Sequence, residues 1–251
     1  MHKIKISAVS YTNTYPFIFG IENNDIIHAI DLSKDIPSVC AQKLIGNKVD
    51  IGLVPVAILP ELSYHEIIAD YCIGATNKVR SVILGAFQPL EKIKKIYLDF
   101  HSRSSVMLSR VLARNFWKIN VEWAKTTEGF IERIHSDEAA VIIGDKALEA
   151  ETRFPYVYDL AEEWIKFTQL PFVFAAWVAN KPIDSAFKKA FNLALQYGLN
   201  HLDDMLKAYD VSYLPKHIDA KTYLEKNIDF PLDEQKRKGM KLFLQLAKDF
   251  Q

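Results

Sequence analysis

Apolar positions along the 251-residue chain fall into two kinds of run, short stretches fit for strands and longer stretches with a helical period. Lys3 to Val9 alternates as a strand, and Pro16 to Ile21 then predicts a helix with Thr14 or Tyr15 near its cap. Ile26 to Ile30 predicts a second strand. Pro37 to Ile45 predicts a helix that Gly46 stops, with Ser33 and Asp35 as cap candidates. Asp50 to Pro55 is almost wholly apolar, as a strand covered on both faces should be. Pro55 and Pro60 then turn the chain into a short helix ending near Leu62. Further strands are predicted at Ile67 to Gly74, Ser81 to Phe87, Lys95 to Asp99, Ala139 to Ile143, Tyr156 to Leu160 and Phe172 to Ala179. Ser102 to Trp117 carries a helical stripe of Val106, Leu108, Val111, Leu112 and Phe116. After Pro182 the pattern is helical, at Ala186 to Leu199, Leu202 to Ala208 and Glu234 to Phe250.

Strand followed by helix, repeated, predicts an α/β protein with parallel sheets. No low-complexity linker and no internal repeat divides the chain. The expected arrangement is two α/β lobes joined by two crossings. Residues 1–90 together with 180–251 form one lobe, and residues 91–179 form the other. A ligand cleft belongs at such a hinge, because strand ends and helix N-termini from both lobes face it.

Composition narrows the function. Lysine plus arginine equals aspartate plus glutamate at 31 each, so no global charge directs the chain to nucleic acid or an anionic membrane. An anion site must therefore be local. The N-terminal residues alternate with lysine and stop short of a signal-peptide core, and no apolar run is long enough to span a bilayer, so a cytoplasmic protein is expected. Cys40 and Cys72 give neither a disulfide framework nor a metal-ligand spacing and read as core thiols. The seven histidines are scattered, and glycine-rich phosphate loops, His-Glu-x-x-His and Gly-x-Ser-x-Gly are missing, so an enzyme built this way needs neither metal nor nucleotide.

Candidate chemistry sits where strands end and helices begin. Ser10 to Thr14, His101 to Ser105 and Thr126 to Gly129 are loops rich in small hydroxyl or amide side chains. Each could simply cap a helix. Two of them facing each other would bind an anion without net positive charge, through hydroxyls and helix N-termini. Arg80 and Arg103 offer forked donors for a carboxylate, or else ion pairs between lobes. Ser81 can donate to a ligand oxygen or to the backbone beside it. Asp145, after Gly144, is a possible base, with helix capping as its more ordinary role. Trp164, Thr168 and the run from Leu170 to Trp177 can wall an apolar pocket or belong to the core.

Seven segments in order resemble one family, the chorismate dehydratases of the futalosine route to menaquinone. They are Val9 to Pro16, Asp50 to Pro55, Val79-Arg80-Ser81-Val82, Ser102-Arg103-Ser104-Ser105, Ile143 to Leu148, Asp159-Leu160 with Trp164, and Thr168 to Trp177. The resemblance covers residues 3 to about 180, and the C-terminal helices match only in kind. It implies a two-lobed fold like that of type II periplasmic binding proteins. It implies loss of the ring hydroxyl of chorismate and of the hydrogen on the adjacent enol-ether carbon, with no cofactor. Asn13 and Ser81 would be catalytic, and Tyr11, Thr14, Arg80, Ser102, Arg103, Ser104, Ser105, Asp145 and Thr168 would bind substrate. Gln169 and Ala161 depart from the glycines usual there. The partner is the small molecule alone, with no nucleic acid and no membrane, and either a monomer or a homodimer is compatible. A binding protein or sensor for a small carboxylate would share the lobes and cleft. The sister enzyme that forms a dihydroxynaphthoate has a different first loop.

Overall fold

Two mixed β-sheets organise the protein, for which a computed structural model describes residues 3–127 and 129–250. The chain begins with β1 (Ile4–Val9), α1 (Tyr15–Glu22), β2 (Ile30–Asp35), α2 (Pro37–Ile45), β3 (Ile51–Pro55) and β4 (Glu66–Ala75). It crosses to a second sheet with β5 (Val82–Ala86), β6 (Lys95–Leu98), α3 (Ser104–Leu112), β7 (Glu122–Lys125), β8 (Glu138–Ile143), α4 (Asp145–Ala150), β9 (Tyr156–Asp159) and α5 (Leu160–Thr168). It returns with β10 (Phe172–Ala179), α6 (Ser185–Asn200), α7 (Leu202–Ala208), α8 (Ala220–Lys226), β11 (Asp229–Pro231) and α9 (Glu234–Ala247). Strand order is β11-β4-β10-β3-β1-β2 in the first sheet and β7-β6-β8-β5-β9 in the second.

Parallel pairing holds for β1 with β2 and β3, and for β6 with β7 and β8. The remaining pairs correct the expectation of parallel sheets. β10 runs antiparallel to β3 and β4, and β5 antiparallel to β8 and β9. Parallel neighbours need a covering crossover within one lobe. β5 and β10 instead arrive from the other lobe and can enter a sheet from the opposite end. The chain passes between the two sheets at residues 76–81 and 169–171.

Two local expectations shift for physical reasons. The strand expected at Ile26 to Ile30 begins only at Ile30, because residues 25–29 form a 3-10 turn that drops Ile26 into the core. From there Ile30 to Asp35 pairs residue by residue with Ile4 to Val9. Asp35 does not cap α2. Its Oδ2 accepts from Ser7 Oγ and Ser33 Oγ at 2.8 Å each and from Lys43 Nζ at 2.6 Å, which holds its carboxyl below the usual aspartate range despite burial. The sequence pattern missed β7, α5, α8 and β11, which span three to nine residues each.

The inner strands of the first sheet lie in the core. β3 is buried along its whole length, and β10 at every position but Ala175. Trp164 and Phe243 pack edge-on against Phe172, and Trp177 against Phe17 and Phe191. Such aromatic packing fixes the second crossing relative to the C-terminal helices.

Candidate functional site

A cavity lies between the two sheets where both crossings pass. Asn13, Thr14 and Phe174 wall it from the first sheet's side, Ser104, Ser105 and Gly144 from the second, and Ser81 at the crossing. The first loop reaches it because β1 ends at Val9 and the chain folds into a 3-10 turn at Thr12 to Thr14 before α1. Pro16 sits in the first turn of α1, where its missing N–H leaves no helical bond unmade. Thr14 Oγ1 donates to Asn13 Oδ1 at 3.2 Å, which commits the amide oxygen and leaves Nδ2 as the donor side.

Ser81 is positioned by an unusual residue before it. Arg80 takes a left-handed backbone conformation with φ 60°, and its N–H donates to Asp159 Oδ2 at 2.7 Å. That turn presents Ser81 to the cavity and sends the Arg80 side chain away, to Glu151. Ser81 Oγ donates to Val79 O at 3.4 Å, a weak bond by length.

On the opposite wall Ser102 Oγ accepts from Ser105 N–H at 3.1 Å, fixing the entry to α3. Ser104 Oγ accepts from Ala57 N–H at 3.2 Å and so bonds across the gap between halves. The N-termini of α1 and α3 both begin beside the cavity, and no side chain of their N-cap residues bonds to either. No Asp, Glu, His, Lys or Arg is among the described residues lining it, and Tyr11 is its one titratable wall. Burial, with the charges of Asp99 and Asp145 behind it, pushes the Tyr11 phenol well above the ordinary tyrosine range, so it stays a neutral donor.

Seven of the residues singled out from sequence meet here, namely Tyr11, Asn13, Thr14, Ser81, Ser102, Ser104 and Ser105. Four others lie elsewhere. Arg80 pairs with Glu151, which also meets His217 Nε2 at 3.1 Å. Arg103 pairs with Glu61 at 2.8 Å, an ion pair between halves. Thr168 Oγ1 donates to Trp164 O at 2.8 Å and accepts from Leu170 N–H at 3.2 Å, closing the end of α5. Asp145 makes no cap bond to α4. Its Oδ2 instead accepts from Thr12 N–H at 3.3 Å and Tyr213 O–H at 3.4 Å, while its buried Oδ1 has no partner. Capping fails because Gly144, at φ 68° and ψ −153°, turns the carboxylate toward the first loop rather than back over the helix.

Of the aromatic run only Phe174 reaches the cavity, while Trp164, Phe172 and Trp177 are core. In the third hydroxyl loop Thr126 Oγ1 donates to Leu98 O at 2.6 Å, and Glu128 lies outside the described residues. Sequence reasoning also missed Tyr223 of α8, a fully buried phenol acted on by Ser81 and Asn13. Only its polar tip could have flagged it, because its place in the helix reads as core.

Known proteins resemble the chain along nearly its whole length. A family model described as menaquinone biosynthesis matches residues 4–249. A chorismate dehydratase of Thermus thermophilus is 25% identical over 255 residues, covering 93% of this chain and 91% of that protein. A chorismate dehydratase of Campylobacter jejuni is 25% identical over 244 residues, covering 95% and 91%. A Candida albicans gene product described as having the generic periplasmic binding protein fold superposes with a TM-score of 0.69 at 14% identity, covering 99% of this chain and 91% of that one. That last likeness shows the fold, a two-lobed α/β scaffold with its cleft between lobes.

Proposed function

The chain belongs to the menaquinone biosynthesis family, and from that premise we propose that it is a hydro-lyase dehydrating chorismate to 3-[(1-carboxyvinyl)oxy]benzoate. The step belongs to the futalosine route and takes place in the cytoplasm. The carrying observation is the wall of the cavity, where neutral donors converge from both lobes and, among the described residues, no charged side chain lines the space. A substrate that is itself a dicarboxylate with an apolar ring suits such a wall. Helix N-termini and hydroxyls take the carboxylates, and Val9, Ile73, Val82 and Phe174 face the ring.

A cavity without an ionised side chain leaves the proton acceptor to the substrate. The enolpyruvyl carboxylate, held within reach of the enol-ether carbon, takes that carbon's hydrogen. The C–H electron pair becomes ring π-bonding as the neighbouring C–O bond breaks, and the departing hydroxide takes the proton from the newly formed carboxylic acid and leaves as water, which returns the carboxylate to its starting form. Aromaticity supplies the driving force. Asn13 orients the carboxylate, Ser81 donates to the departing hydroxyl, and the Ser104-Ser105 turn holds the second carboxylate. Two curated relatives that match over nine-tenths of the chain are named chorismate dehydratases, which favours the hydro-lyase over a binding protein or the dihydroxynaphthoate-forming enzyme.

Purified protein incubated with chorismate, followed by ultraviolet absorbance and mass spectrometry, tests the reading. Wild type should release the aromatic product. Asn13→Ala and Ser81→Ala should each lose roughly 100-fold or more in kcat, as removal of a positioned donor does. Asp145→Asn should keep turnover. Folded wild type that leaves chorismate intact, or an Asp145→Asn variant that binds but does not react, would refute it.

A further inference from the structure

Tyr223 is 1% exposed, and among the described residues its hydroxyl is the buried one with no hydrogen-bond partner. Buried polar groups almost always find partners, so an orphan asks for a reason. The groups beside it supply one. The Ser81 hydroxyl and the Asn13 amide act on the phenol, yet neither closes a well-shaped bond with it. Both of these side chains are committed only loosely elsewhere: Ser81 Oγ to Val79 O at 3.4 Å, and Asn13 through Oδ1 to Thr14 at 3.2 Å. Tyr223 is held by α8, whose C-cap Asn227 Nδ2 donates to Lys78 O at 2.9 Å on the segment that leads to Ser81, and it is not among the residues that line the cavity.

We infer that Tyr223 is a positioning residue, whose phenolic O–H backs Ser81 when a ligand draws the serine hydroxyl from Val79 O toward the cavity. A serine oxygen that donates to a ligand keeps its lone pairs, and one of them then accepts from Tyr223. The phenol thus gains its missing acceptor in the ligand-bound state alone, and the serine hydroxyl is held in its donating direction. Burial keeps the phenol well above the ordinary tyrosine range, so the O–H is present throughout. Groups behind a reacting side chain orient it in this way at many sites. The assignment rests on the dehydratase reading, because it acts through Ser81.

Tyr223→Phe in the full chain removes one oxygen and keeps the ring, so it tests the hydroxyl without opening the core. With chorismate as substrate, kcat should fall roughly tenfold or more while KM stays within about threefold. The melting temperature should hold or rise, because an unsatisfied group has been removed. Adding Tyr223→Phe to Ser81→Ala should cost nothing further in kcat. An unchanged kcat in Tyr223→Phe, a loss of kcat that tracks a loss of folded protein, or losses that multiply in the double variant would each overturn the assignment. Wild type inert toward chorismate would instead sink the dehydratase reading itself. An active wild type beside an equally active Tyr223→Phe sinks only the role of Tyr223.

Discussion

The Tyr11 ring lies where a side chain on residue 144 would begin: a Cβ built on Gly144 stands 2.9 Å from Tyr11 Cε2 and Cζ. Tyr11 belongs to the first loop of one lobe and Gly144 follows β8 in the other, so this contact joins the two lobes. Gly144 also has φ 68° and ψ −153°, a region that only glycine occupies without strain. Its N–H donates to Ser81 O at 2.8 Å, tying the same residue to the proposed catalytic serine. Gly144→Ala is therefore expected to lower the unfolding free energy by about 1–3 kcal/mol. Turnover of chorismate should fall further than stability explains, as Tyr11 and Ser81 are displaced together. Denaturant titration and a chorismate assay on the same preparation check both halves, and an alanine variant matching wild type in both would refute the closed geometry.

Arg80 separates a structural from a substrate-binding arginine. Its guanidinium faces Glu151 and is not among the residues that line the cavity. Arg80→Gln should destabilise the fold by about 1–2 kcal/mol, as loss of a half-exposed ion pair does. KM for chorismate should stay within about threefold, because the proposed carboxylate contacts are the neutral donors of the cavity wall. A tenfold or greater rise in KM with unchanged stability would place the guanidinium on the substrate.

These residues also show what sequence could and could not reveal. Asn13, Ser81 and the Ser102 to Ser105 turn, most of which lines the cavity, are legible because small hydroxyl and amide side chains gather where strands end and helices begin. Arg80 was not, since its direction depends on a left-handed backbone that an arginine does not advertise. Asp145 looked like a cap until Gly144 turned it outward. The strand at residues 30–35 was read too early because an Ile-Ile pair marks burial without saying whether strand or turn delivers it. Tyr223 stayed hidden because periodicity reports which face of a helix is covered, not what a hydroxyl on that face meets.

Gln169 is one departure from the family pattern with a measurable consequence. It ends α5 with φ 60° and ψ 20°, donating its N–H to Ile165 O at 2.8 Å, the position where glycine is favoured. A residue with a Cβ is strained there by about 1 kcal/mol, part of which Gln169 recovers through 3.3 Å bonds from Nε2 to Ile165 O and Lys166 O. Gln169→Gly is expected to stabilise the fold by about 0.5 kcal/mol and leave turnover unchanged. Ala161 needs no such change, because it lies within α5 with its N–H donating to Asp159 Oδ1. A glycine variant less stable than wild type in denaturant titration would show that the side-chain bonds outweigh the strain.

Asp145 gives the protein a pH signature whose sign follows from its burial. Loss of solvent raises its carboxyl above the ordinary aspartate range, and the Thr12 N–H and the Tyr213 hydroxyl offset that only in part. Ionisation is thus harder in the folded chain than in the unfolded one. The contribution to stability is complete below the unfolded value, about 4, and is lost as pH rises through the higher folded value. Asn cannot ionise and still offers Thr12 N–H an acceptor. Asp145→Asn should therefore be at least as stable as wild type at pH 7, and its stability should decline less between about pH 4 and 7. Other buried carboxylates, Asp99 among them, contribute equally to both proteins and cancel in the difference. Denaturant titrations across that range decide the matter. A variant that is weaker at pH 7 and declines as steeply as wild type would mean that the negative charge itself holds the first loop against α4, with Thr12 and Tyr213 meeting its full cost of burial.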